Sequence, residues 1–174
     1  MELFADLIKI LVPSALLLYG MYLMAQTFLN KQFEQKQLEI KQKNTELLTP
    51  IRLQAYERLV LYLERITPNN MLIRLSQSGE QALGFQHLLI TEIREEYQHN
   101  IAQQLYMSHE AWEKVQFAMN EVIALINTSA AELPVDAPAI DLSKKIFETV
   151  ITQNKQPTIE AIKFLKEEAQ KELM

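Results

Sequence analysis

The chain has 174 residues, a net charge of −5, three glycines and no cysteine. Average usage would supply roughly twelve glycines at this length, and strand-rich folds spend glycine on frequent tight turns, so the scarcity points to long helices. The missing cysteines exclude disulfide frameworks and thiolate metal sites. A weakly acidic chain without basic runs argues against nucleic acid as a partner, because phosphate binding needs clustered Lys and Arg.

The first feature along the chain is ILVPSALLLYGMYLMAQTFL, residues 10–29, which carries no ionised side chain. Twenty residues at the helical rise cover about 30 Å, the thickness of a bilayer's hydrocarbon core. The stretch predicts one membrane-spanning helix within an anchor at 1–30. Its apolar bulk comes from Ile10, Leu11, Leu16, Leu17, Leu18, Tyr19, Met21, Tyr22, Leu23, Met24, Phe28 and Leu29. A cleaved secretory signal fits poorly. The residues before Lys9 include Glu2 and Asp6 but nothing basic, and the best cleavage point, after Ala25, has Leu23 where a small residue is needed. Pro13 sits in the span's first turn, where its missing N–H costs least. Lys31, Lys36, Lys41 and Lys43 follow the span and only Lys9 precedes it. The positive-inside rule therefore predicts a cytoplasmic C-terminal domain.

Residues 31–49 read as a polar helical stalk. Phe33, Ile40 and Leu47 recur every seven residues, but the partner positions are Gln37 and Asn44 before Ile51 restores an apolar side chain. A coiled coil wants both positions apolar over several heptads, so a solvated spacer and a self-associating stalk both stay open. Thr49-Pro50 then suggests a kink or a fresh helix start.

Residues 50–174 predict an antiparallel bundle of about four to five helices, which makes the fold class all-α. The first domain helix is expected over Pro50–Ile66. A short one around Met71–Leu75 precedes the longest, from Gly79 to Leu105, with Ser78 and Gln81 spaced as a capping box. Phe85, Leu89, Ile93, Tyr97, Ile101 and Leu105 form a ladder at four-residue spacing, and His87 is expected at the edge of the core beside them. Ser108 reads as the cap of a helix whose stripe is Trp112, Val115, Met119, Val122 and Ile126. That stripe is core first and an interaction surface second, although a lone Trp is also a common interface anchor. Residues 128–137 are expected to be irregular, and two amphipathic helices, near 138–152 and 157–173, close the chain.

Chemistry is sparse. Glu96 and His99 form a Glu-x-x-His pair, the spacing that places two di-iron ligands on one helix face, but such sites also need a second Glu-x-x-His pair alongside glutamates from other helices, and no second pair occurs in the sequence. His109-Glu110 lacks the second histidine of a zinc-protease motif, since Glu113 stands there. No Walker loop, GxSxG or GxGxxG occurs. No catalytic residue and no cofactor is expected, and Glu96 with His99 is the weak metal candidate.

The run YQHNIAQQLYMSHEAW, Tyr97 to Trp112, resembles an uncharacterised family of short bacterial proteins with one N-terminal span and a helical domain. The resemblance implies a bacterial inner membrane and a mainly helical fold, and it implies no activity. The functional expectation is a non-enzymatic, membrane-anchored scaffold: lipid bilayer at one end, a protein partner or self-association at the other. A tethered enzyme or ligand-binding bundle using carboxylates and His99, and a homo-oligomeric structural stalk, are the alternatives.

Overall fold

The computed structural model of the chain describes residues 2–76, 81–153 and 156–173. These hold six α-helices: α1 (Glu2–Ile66), α2 (Pro68–Leu75), α3 (Ala82–Asn100), α4 (His109–Ala131), α5 (Ala139–Gln153) and α6 (Pro157–Leu173), with a 3-10 turn at Ile101–Tyr106. No strand is present among the described residues; one antiparallel bridge joins Gln81 to Pro138. The chain divides into two compact units, Met1–Leu48 and Thr49–Met174.

The first unit is helix alone. Every side chain from Leu11 to Leu48 is exposed. Within it Thr27 Oγ1 donates to the Leu23 carbonyl at 2.8 Å, and Thr45 Oγ1 to the Lys41 carbonyl at 3.0 Å. These bonds satisfy each hydroxyl within its own helix, which matters most where water is scarce.

Pro50 does not restart the helix: α1 is helical on both sides of it and through it. A proline inside a helix costs about 3 kcal/mol and one backbone hydrogen bond. Here residues 31–49 before it contain no proline or glycine, and those after it are held by burial of Ala55, Tyr56, Leu59, Tyr62, Leu63 and Ile66. Each such side chain gains roughly 1.5–3 kcal/mol on burial, which outweighs the local penalty.

The second unit is organised around α4, which packs on α3, α5 and α6, while α5 also meets α2 and α3. Its core joins the α1 residues above to Phe85, Leu89 and Ile93 of α3, Val115, Val122 and Ile126 of α4, Leu142 and Ile146 of α5, and Leu165 of α6. Thr67 and Pro68 open α2 without a side-chain cap. Gln81 is the N-cap residue of α3 and likewise offers no side-chain cap; its expected partner Ser78 lies outside the described residues.

The predicted helix to Leu105 is instead broken at Asn100. A four-residue step advances about 400°, so each rung of the ladder rotates about 40° from the last. Phe85, Leu89 and Ile93 are fully buried, whereas Ile101 is 37% and Leu105 79% exposed. The drift carries the final rungs off the core, and burial no longer holds the α-helix there. The same geometry moves His87, about 200° from both Phe85 and Leu89, to an exposed face rather than the core edge.

At the other end α4 outruns its expected limit, because Ser129 continues the buried side from Val122 and Ile126. The irregular segment begins only at Glu132.

Candidate functional site

One concavity of the domain lies where two helix starts meet three helix sides. The α1–α2 junction contributes Glu64, Thr67, Asn69 and Asn70; α4 contributes Glu121, Val122 and Leu125; α5 contributes Phe147 and Val150; α6 contributes Thr158, Ile162 and Lys166. The cleft encloses about 530 Å³, within the range of small-ligand sites. Both flanking helices begin with proline, Pro68 and Pro157, whose fixed backbone suits a first helical residue.

The two junctions are tied together by hydroxyls. Thr67 Oγ1 donates to the Leu63 carbonyl at 2.9 Å and lies 3.0 Å from Thr158 Oγ1. A hydroxyl has one proton, so Thr158 supplies the proton of the shared bond. Asn70 Nδ2 donates to the Glu64 carbonyl at 2.9 Å. The floor is aliphatic and aromatic, and the rim carries both signs of charge. Such a surface can hold an apolar group, but neither threonine is a free nucleophile.

A second polar cluster closes the opposite side of α6. The Glu168 carboxylate accepts from the Tyr56 hydroxyl at 2.5 Å, from the Ser108 N–H at 3.0 Å and from Ser108 Oγ. Ser108 Oγ in turn accepts from the Ala111 N–H at 3.1 Å, which caps α4 as its sequence predicts. Burial alone would raise the Glu168 carboxyl, but these bonds and the Arg52 charge outweigh it and hold it below its ordinary range. Tyr56 moves the other way: burial first, then the adjacent carboxylate, keeps its phenol protonated. The result is one carboxylate clasping α1, α4 and α6 together.

Arginines of α1 and α2 meet α3 in three places. Arg58 donates to Asn100 Oδ1 at 3.2 Å and to the His99 carbonyl at 3.3 Å, placing positive charge at the C-terminal end of the helix. Asn100 Nδ2 donates back to the Glu96 carbonyl at 2.8 Å. Arg65 pairs with Glu96 at 3.1 Å and Arg74 with Glu92 at 3.0 Å. Around the break after α3, Asn100 is buried, Gln103 is half-buried, and His99 and Gln104 are exposed.

The predicted residues fall as follows. Leu11, Leu16, Leu17, Leu18, Tyr19, Met21, Tyr22, Leu23, Met24, Phe28 and Leu29 form one exposed apolar helix, and the side chain of Ile10 lies outside the described residues. Lys31, Lys36, Lys41 and Lys43 follow on the same helix, all exposed. By length and composition, one helix is apolar enough to cross a membrane. Glu96 is engaged by Arg65 and the His99 ring is exposed. Among the described residues no three His, Cys, Asp or Glu side chains gather as metal ligands. Trp112, Val115, Val122 and Ile126 are buried and Met119 is half-buried. Trp112 stacks on Tyr97 with centroids 5.5 Å apart, and Gln116 Nε2 donates to the Tyr97 hydroxyl at 3.0 Å. The stripe is core, and Val122 also reaches the floor of the cleft.

A family model described as a family of unknown function, DUF7935, matches residues 2–172. The chain belongs to DUF7935. The match takes in the apolar helix, the stalk and the packed domain together, so family membership describes the whole arrangement and not the domain alone. No curated protein and no solved structure matches the chain. Sequence reasoning missed the cleft and the Glu168 cluster; the only local signal of either was the capping serine at 108.

Proposed function

We propose that this DUF7935 chain is a non-enzymatic, membrane-anchored docking protein of a bacterial inner membrane, with its C-terminal domain on the cytoplasmic side. The domain, read as an antiparallel helical bundle, is held at the membrane to engage a protein partner. The observation that carries the reading is the uncovered helix from Leu11 to Leu29, predominantly apolar, without an ionised side chain and with no other element of its unit packed on it. Left in water, each of its large side chains forgoes roughly 1.5–3 kcal/mol of burial, whereas a bilayer accepts the whole surface and the helix supplies its own backbone bonds. The lysines after the span favour the cytoplasmic side for the domain.

The cleft supports docking, since its floor of Val122, Leu125, Phe147, Val150 and Ile162 can seat an apolar side chain of a partner. It equally suits a tethered ligand-binding domain, which is the second reading. The test places a photo-crosslinking residue at Asn69 or Lys166 on the rim, and at exposed Lys144 as control, in the full chain within its own membranes. Docking predicts one discrete protein adduct from the rim positions only, abolished by Val150→Asp. Equal adducts from Lys144, or none from the rim, would sink it.

A further inference from the structure

We propose that α1 pairs in parallel with the α1 of a second copy of this chain, along a seam made by Phe33, Gln37, Ile40, Asn44 and Leu47. All five side chains are exposed, and the unit Met1–Leu48 contains no second element to cover them. Phe33, Ile40 and Leu47 repeat at seven residues, with Gln37 and Asn44 falling between them. Seven residues fall about 20° short of two full helical turns, so the seam runs nearly straight and a gentle left-handed supercoil closes it.

The composition of the seam says what covers it. In a parallel pair related by a two-fold axis, each residue meets its own copy at the same height. The amides of Gln37 and Asn44 carry both donor and acceptor, so each can bond its twin, while Phe33, Ile40 and Leu47 meet their like. An unrelated partner would have to match this alternation layer by layer; a second copy supplies it by symmetry. Polar amides at core positions fix register at a cost in stability, so pairing in register is specific and weak. Direction and height come from the anchor, and to that extent the inference rests on the membrane reading above. Its lower limit is set by the chain itself, because Ala55 and Tyr56 are already buried in their own domain.

Lys36 and Lys41 occupy the positions flanking the seam, where a parallel pair sets them against one another. Salt screens such like charges, so the pair tightens as ionic strength rises. Docking through opposite charges would respond in the opposite sense.

The chain has no cysteine, so single cysteines introduced into the full chain report without background. Oxidation in native membranes should give disulfide-linked dimers at Phe33→Cys, Gln37→Cys, Ile40→Cys, Asn44→Cys and Leu47→Cys. Gln35→Cys, Leu38→Cys and Gln42→Cys, on the opposite face, should give several-fold less. Dimer yield from Gln37→Cys should rise with added salt and fall several-fold when Ile40→Glu is combined with it. A chain retained in the membrane with no such periodicity, or with its maximum at Leu38→Cys, overturns the pairing and leaves the anchor standing. A chain washed off the membrane yet cross-linked at the seam positions sinks the anchor and keeps the pairing.

Discussion

The Glu168 cluster makes the sharpest energetic prediction. Replacing Glu168 with Gln keeps the shape and one acceptor oxygen but removes the charge from bonds to the Tyr56 hydroxyl, the Ser108 N–H and Ser108 Oγ. Hydrogen bonds to a charged group contribute about 1.5–3 kcal/mol and neutral ones about 0.5–1.5, so each loses roughly 1 kcal/mol. The carboxylate is half-buried, and solvent screening cuts the sum to about 1.5 kcal/mol. Glu168→Ala, which also strands the Tyr56 hydroxyl, should cost about 2–3 kcal/mol. Thermal unfolding of the detergent-solubilised full chain at pH 7 should then fall by roughly 3–4 °C per kcal/mol.

The pH dependence carries the same signature. The folded carboxyl is held below its ordinary value of 4.5, so its stabilisation is complete above that value and disappears as the pH falls through the lower folded one. Glu168→Gln should remove this part of the acid sensitivity. The double variant Tyr56→Phe/Glu168→Gln should lose less than the sum of the singles, because both break one bond. A Glu168→Ala chain as stable as the parent, with an unchanged acid limb, would refute the reasoning.

Other expectations are simpler. Among the described residues the buried Tyr62 hydroxyl and Ser129 Oγ find no hydrogen-bond partner, so Tyr62→Phe and Ser129→Ala should be neutral or raise stability by up to about 1 kcal/mol, read from denaturant midpoints. Trp112→Ala removes a buried ring stacked on Tyr97 and should cost roughly 3–5 kcal/mol, with loss of the near-ultraviolet dichroism of the aromatic stack. Asn100→Ala deprives Arg58 of its Oδ1 partner at the end of α3 and should cost about 1–2 kcal/mol. Hydrogen exchange should speed at Ile101–Tyr106 in that variant before it does elsewhere.

What the sequence made legible was local and periodic. The apolar run to Leu29, the Trp112 stripe and the Ser108 cap each announce themselves within a few turns of helix. Pro50 misled because a proline's cost is local while the burial that offsets it, at Tyr56 through Ile66, depends on α3, α4 and α6. Ile101 and Leu105 misled because a four-residue repeat looks like one face until its rotation is summed. Ser129 concealed the extra turn of α4 because a buried serine in a small-residue run reads as loop. The Glu168 cluster was out of reach for another reason: its partners stand 60 and 112 residues away along the chain. The cleft was equally hidden, since no single segment forms it.

The central claim is that residues 11–29 cross a membrane and leave the domain in the cytoplasm. It is tested most directly on spheroplasts of cells making the full chain with a C-terminal tag. The membranes are washed in alkaline carbonate, and the tag is probed with protease before and after lysis. The account predicts that the chain stays in the washed membrane and that the tag is cut only after lysis. Release by carbonate would contradict the span, and cleavage of the tag on intact spheroplasts would contradict the orientation.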